Sequence, residues 1–152
     1  MRNAAFAVFI VALLTIIGAW IFQLRGLEPC PLCLMQRWPY YAAIPLAALT
    51  WYLAPRQASL ARWGLALLAL IMLGSAVFGV YHSGIEWAWW KGPTTCAGTI
   101  SSDVLLPDLT NEPVISCEKA ALRIAGLSLA GWNAVISVAL AGIAWAGFRK
   151  AR

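Results

Sequence analysis

Cys30-Pro31-Leu32-Cys33-Leu34-Met35-Gln36-Arg37 runs directly into the apolar stretch 38–54, and this junction decides how the chain is read. In a soluble chain a C-x-x-C pair suggests a thioredoxin-like site or half of a zinc site. At the mouth of a membrane span, with an arginine one helical turn deeper, it suggests a redox dithiol facing an electron acceptor dissolved in lipid.

The surrounding composition favours the membrane. The 152 residues are 62% hydrophobic and 11% charged, with a mean hydropathy of +0.76, unlike a soluble domain. Three windows, 4–22, 63–81 and 124–148, carry no charge and are long enough to cross a bilayer. A fourth, 32–54, is interrupted only by Arg37. The expectation is an all-α membrane protein, a single four-transmembrane-helix bundle over residues 1–152, with a long mobile outer loop, 83–123, between helices 3 and 4. So little chain remains that a separate soluble core is excluded. Arg2 before the first window imitates a signal peptide. However, that window is long, and Gly18-Ala19-Trp20-Ile21-Phe22-Gln23 at its end lacks a small-x-small cleavage site, so a retained span is expected.

The charges give the orientation. The N-terminus, the 55–62 connection and the C-terminal tail hold Arg2, Arg56, Arg62, Arg149, Lys150 and Arg152 and no acid. The opposite side holds Arg25, Arg37, Lys91, Lys119 and Arg123 with all six acids. The positive-inside rule then puts both termini in the cytoplasm. The net charge of +5 reflects this asymmetry and does not point to nucleic acid. Trp20, Trp38, Trp87, Trp89 and Trp90 mark one interface, and Trp51, Trp63 and Trp145 the other; Trp132 falls inside the fourth window.

All four cysteines, Cys30, Cys33, Cys96 and Cys117, lie on the outer side, the disulfide-permissive side of a bacterial plasma membrane. Pro31 suits the first position of a helix, which puts Cys30 and Cys33 at a helix N-terminus where the dipole favours thiolate. In one continuous helix Cys33 and Arg37 share a face, and Pro39 and Pro45 should kink it. The alternative is a static Cys30–Cys33 disulfide with Arg37 snorkelling to the headgroups. A zinc site is disfavoured, since there is no second C-x-x-C and only one histidine. Cys96 and Cys117 sit on a polar segment, either as a staple or as a shuttle on a flexible arm, and the short stretch 104–109 reads as an amphipathic surface element. His82 ends the third window at the depth of Arg37; it is either a satisfied polar end residue or a proton donor to a lipid-soluble carbonyl acceptor. Glu86, one turn on, orients it or faces water. Ser75, Gly79, Gly126, Ala130 and Gly131 provide small-residue spacing for close helix packing.

With these residues set out, the chain resembles the DsbB family of bacterial disulfide-forming membrane proteins. The resemblance rests on Leu27-Glu28-Pro29-Cys30-Pro31-Leu32-Cys33 with Gln36-Arg37 and Tyr40, on Tyr81-His82-Ser83-Gly84-Ile85-Glu86 with Gly92-Pro93 before Cys96, and on Gly126-Leu127-Ser128-Leu129-Ala130-Gly131-Trp132-Asn133 after Cys117. It implies an inner-membrane oxidoreductase with its cysteines in the periplasm. Cys30/Cys33 would be reoxidised by ubiquinone or menaquinone beside Cys33 and Arg37, with His82 near the quinone site. Cys96/Cys117 would oxidise a soluble thioredoxin-fold partner of the DsbA type, with Cys96 meeting that partner. After Cys117 many members have an acidic residue followed by proline and tryptophan; here the chain reads Glu118-Lys119-Ala120-Ala121-Leu122. Two rivals stand beside this reading: a structural four-span protein with two permanent disulfides, and an enzyme of the vitamin-K-epoxide-reductase type, whose C-x-x-C is expected on a late span.

Overall fold

A computed structural model describes residues 1–94, 96 and 116–150. Most of the outer loop, including 104–109, lies outside the described residues. The elements are α1 (Arg2–Leu24), α2 (Pro31–Met35), α3 (Trp38–Leu53), α4 (Ala58–Glu86), β1 (Arg123–Ile124), β2 (Leu127–Ser128) and α5 (Leu129–Arg149).

Three helices, α1, α4 and α5, are long and apolar enough to cross a membrane. At 1.5 Å per residue they reach about 34, 44 and 32 Å. Their outward faces are greasy: Leu14, Leu70 and Val77 are each more than 60% exposed, as suits a lipid-facing surface. The 32–54 window is not one helix. Pro39 has no N–H for the Met35 carbonyl, and its ring crowds that carbonyl, so the helix breaks at residues 36–37. The Arg37 amide turns to the Leu34 carbonyl at 3.1 Å. What remains is the five-residue α2 and a 16-residue α3 of about 24 Å.

The fourth long helix also differs from its window. Residues 123–128 form a two-stranded antiparallel hairpin pairing Arg123 with Ser128 and Ile124 with Leu127. Ala125 and Gly126 both have positive φ, 51° and 84°, as the tight turn between such strands requires. Ser128 then caps α5, its hydroxyl accepting from the Gly131 amide at 3.1 Å. Gly126 therefore serves a turn rather than a helix face. Trp132 sits in the first turn of α5, with its indole N–H on the Ile124 carbonyl at 2.9 Å, which removes the anomaly of a tryptophan deep in a span.

The helices close into a ring: α1 packs on α3 and α5, and α4 packs on α3 and α5. Rings at the helix ends fix their directions. Phe6 of α1 meets Trp51 of α3, and Trp63 of α4 meets Phe148 of α5, at centroid separations of 6.1 and 6.0 Å. Sequential helices are thus antiparallel, and both termini lie at one end. Arg2, Arg56 and Arg62 lie there over Trp51, Tyr52 and Phe148. Val8, Ala12, Ala43, Leu65, Leu68, Met72 and Leu140 fill the core. Gly79 lets α4 and α5 touch, since a Cβ there would come within 3.0 Å of the Ala134 backbone. Tyr40, Ser137 and Ser75 form a buried hydroxyl chain joining α3, α5 and α4, each link 2.9 Å. Between apolar helices such bonds hold registry.

Candidate functional site

The end opposite the termini collects the cysteines. Pro31 opens α2 at its first position, as expected, and Cys30 is the N-cap. Its sulfur accepts from the Cys33 amide at 3.1 Å, a bond best made by an anionic acceptor. Antiparallel α4 delivers His82 to the same depth, where its Nε2 lies 3.6 Å from Cys30 Sγ. His82 is 1% exposed, and its Nδ1 lies 2.9 Å from the Gln36 amide nitrogen. Cys30, Cys33 and His82 thus place their ligand atoms within 4.8 Å of one another.

Hydrogen bonding to the Cys33 side chain, followed in size by that to His82, outweighs the opposing effect of burial and lowers the Cys30 thiol from 9.0 to about 5. The sequence reading left the thiolate open between Cys30 and Cys33; the structure gives the acceptor's role to Cys30. With the helix broken at 36–37, the Arg37 guanidinium lies over Trp20, 5.7 Å from its centroid, and donates to Gln23 Oε1 at 2.7 Å. Both of these partners come from α1.

The last turn of α4 adds a carboxylate. Glu86 Oε1 lies 4.0 Å from His82 Nε2, with the side chain 5% exposed. Among the described residues its Oε2 has no hydrogen-bond partner. α4 ends just beyond it in a Schellman turn: the Trp89 amide bonds the Gly84 carbonyl at 2.8 Å and the Ala88 amide bonds that of Ile85 at 3.0 Å. Ala88 occupies the left-handed position at φ 56°.

Cys96 and Cys117 are joined in a disulfide and almost fully buried. They pack with Cys30, Leu32 and Ile85 in one cluster, with Cys33 at its edge. Cys30 and Cys33 are free thiols. On the other side of Cys33 opens a cavity of about 430 Å³ between α1, α3 and α5. Its walls are mostly apolar, and Cys33, Gln36, Arg37, Tyr40, Trp132 and Asn133 border it. The Asn133 amide nitrogen is buried without a partner among the described residues. His82 is not a wall residue and communicates with the cavity through Gln36. Gln36 and Asn133 were quoted in the motifs without a role; nothing in a linear pattern shows that one bonds the histidine and the other borders a cavity.

A family model described as "Disulfide bond formation protein DsbB" matches residues 1–147. A disulfide bond formation protein B of Herminiimonas arsenicoxydans is 32% identical over 150 residues, covering 92% of this chain and 90% of that protein. Another of that name, from Albidiferax ferrireducens, is 30% identical over 128 residues, covering 78% and 70%. An uncharacterized protein of Rickettsia prowazekii is 30% identical over 142 residues, covering 86% and 76%. No solved structure matches the chain.

Proposed function

The chain belongs to the DsbB family of disulfide bond formation proteins, and from that premise we propose that it is a membrane oxidoreductase that regenerates a soluble thiol oxidase and delivers the electrons to a membrane quinone. The observation that carries this reading is the gathering of both cysteine pairs into one buried cluster that borders an apolar cavity. It resides in a bacterial inner membrane with both termini cytoplasmic and the cysteines periplasmic, and α2 with α3 makes the fourth crossing. The acid-free basic end, packed against aromatic rings, supports this orientation.

The partner is a periplasmic thioredoxin-fold protein of the DsbA type. Its thiolate attacks Cys96, the Cys96–Cys117 bond breaks with Cys117 as leaving thiolate, and the partner's second thiol then displaces Cys96 to leave an oxidised partner. The reduced Cys96/Cys117 pair opens an oxidised Cys30–Cys33 disulfide by the same two-step exchange, which requires sulfur to meet sulfur. Two electrons now reside on the Cys30/Cys33 dithiol. Cys30 is held as thiolate by Cys33 and His82, while Cys33 faces the cavity.

The cavity suits ubiquinone or menaquinone. Its apolar walls take the ring, and Arg37 and the Asn133 amide, unpartnered among the described residues, are the donors for carbonyl oxygens. When bound, the quinone supplies an acceptor for two electrons and two protons. A DsbA-type partner is itself strongly oxidising, at about −120 mV, so this sink is what draws the exchange forward. Three variants test the assignment. Replacing Cys30 or Cys33 by serine should abolish quinone-dependent oxidation in a protein that remains folded, and in a Cys117→Ser background the partner should be trapped on Cys96. Turnover in either serine variant, or trapping on Cys30, would contradict it.

A further inference from the structure

We propose that the reduced protein contains a redox-gated site for a thiophilic divalent cation, with Zn²⁺ as reference ion, formed by Cys30, Cys33 and His82 with the fourth position left to water. The inference does not rest on the function proposed above, because it concerns the dithiol itself whatever oxidant serves it.

The donors are already close to coordination geometry. The two sulfurs and a ring nitrogen lie within 4.8 Å of one another. Tetrahedral zinc, with Zn–S of about 2.3 Å and Zn–N of about 2.0–2.1 Å, sets an S···N edge of about 3.6 Å. Cys30 Sγ and His82 Nε2 are 3.6 Å apart. Two cysteines and one histidine with a fourth position open to water is an established zinc arrangement. Glu86, on the next turn of α4, lies outside this cluster, with Oε1 4.0 Å from His82 Nε2. The opposite nitrogen of His82 faces Gln36 at 2.9 Å. With the amide turned, Gln36 accepts from Nδ1–H and frees the Nε2 lone pair, the outer support that a ligating histidine needs. A count that looks for four protein ligands misses this site because only three protein donors meet there.

The chemistry gates the site. Zn²⁺ displaces the thiol protons still present and forms two Zn–S bonds, with no electron transferred. Joining Cys30 to Cys33 removes both thiolates and expels the ion. A bound ion therefore holds the pair reduced and opposes its oxidation.

The test uses the full chain in detergent with Cys96 and Cys117 replaced by alanine, so that only one dithiol remains. Co²⁺ is titrated into reduced and oxidised protein and then displaced by Zn²⁺, following thiolate-to-cobalt charge-transfer absorption. The expected result is one ion per reduced chain, none on the oxidised chain, and affinity weakened by about tenfold or more in His82→Ala. Zn²⁺ should also slow oxidation of the dithiol by diamide, with a chelator restoring the rate. Equal binding to oxidised protein, or unchanged affinity in His82→Ala, would overturn the three-donor site. Cys33→Ser, which preserves shape and removes one thiolate, should abolish binding and decides the matter even if His82→Ala fails to fold.

Discussion

Removing the Cys33 side chain should raise the Cys30 pKa by an amount that can be worked out. Cys30 is lowered to about 5, and the side-chain bond from Cys33 is the largest cause. A hydrogen bond to a charged group is worth about 1.5–3 kcal/mol, and one pKa unit is 1.36 kcal/mol. Cys33→Ala should therefore move Cys30 up by about 1–2 units, leaving the backbone Cys33 amide and His82 in place. The thiolate is the form present above the pKa, so the loss appears on the acid side. At pH 6 about 90% of Cys30 is thiolate in the parent, against about 10–50% in the variant. Ultraviolet thiolate absorbance of the reduced protein, differenced against Cys30→Ser, reads this directly. A parent midpoint near 9, or a Cys33→Ala midpoint still near 5, would refute the claim that these side chains hold the anion.

Arg37→Met should raise the apparent quinone KM by about tenfold to a hundredfold, the value of one charge-assisted bond, and Arg37→Lys by less; both should keep a single turnover with the partner, measured by quenched thiol labelling. Ser137→Ala removes the middle of the Tyr40–Ser137–Ser75 chain and should destabilise the bundle by about 0.6–2 kcal/mol in a detergent unfolding titration. Ala88→Gly relieves a left-handed alanine and should stabilise the fold by about 1 kcal/mol, read as a higher melting temperature.

Much of the architecture was legible because hydropathy reports what lipid demands. The windows at 4–22 and 63–81 fall inside α1 and α4, which extend to Arg2–Leu24 and Ala58–Glu86. The other two windows went astray for a common reason: apolar composition persists where backbone geometry changes. Pro39 broke the second window by removing one N–H, although Trp38, Tyr40 and Tyr41 around it are as apolar as a helix wants. Ile124 and Leu127 extended the fourth window into a hairpin, although Gly126 and the capping Ser128 were signals of a turn and a helix start. At the site, Cys30, Cys33 and Arg37 were visible through their spacing, and Glu86 through its offset of four from His82. The His82 contacts with Cys30 and Gln36 span 52 and 46 residues of sequence. No periodicity reports such a pairing, so the sequence left the thiolate open between Cys30 and Cys33.

The central claim is that electrons pass from a partner's dithiol through both cysteine pairs to quinone. Anaerobic mixing of the purified protein with reduced DsbA-type partner and a small excess of quinone tests it most directly, following quinone absorbance and partner thiols together. The account predicts one quinone reduced for each partner dithiol oxidised, over many turnovers per protein and with no reduction when the partner is already oxidised. Partner oxidation that stops after one or two equivalents with the quinone unchanged would contradict it.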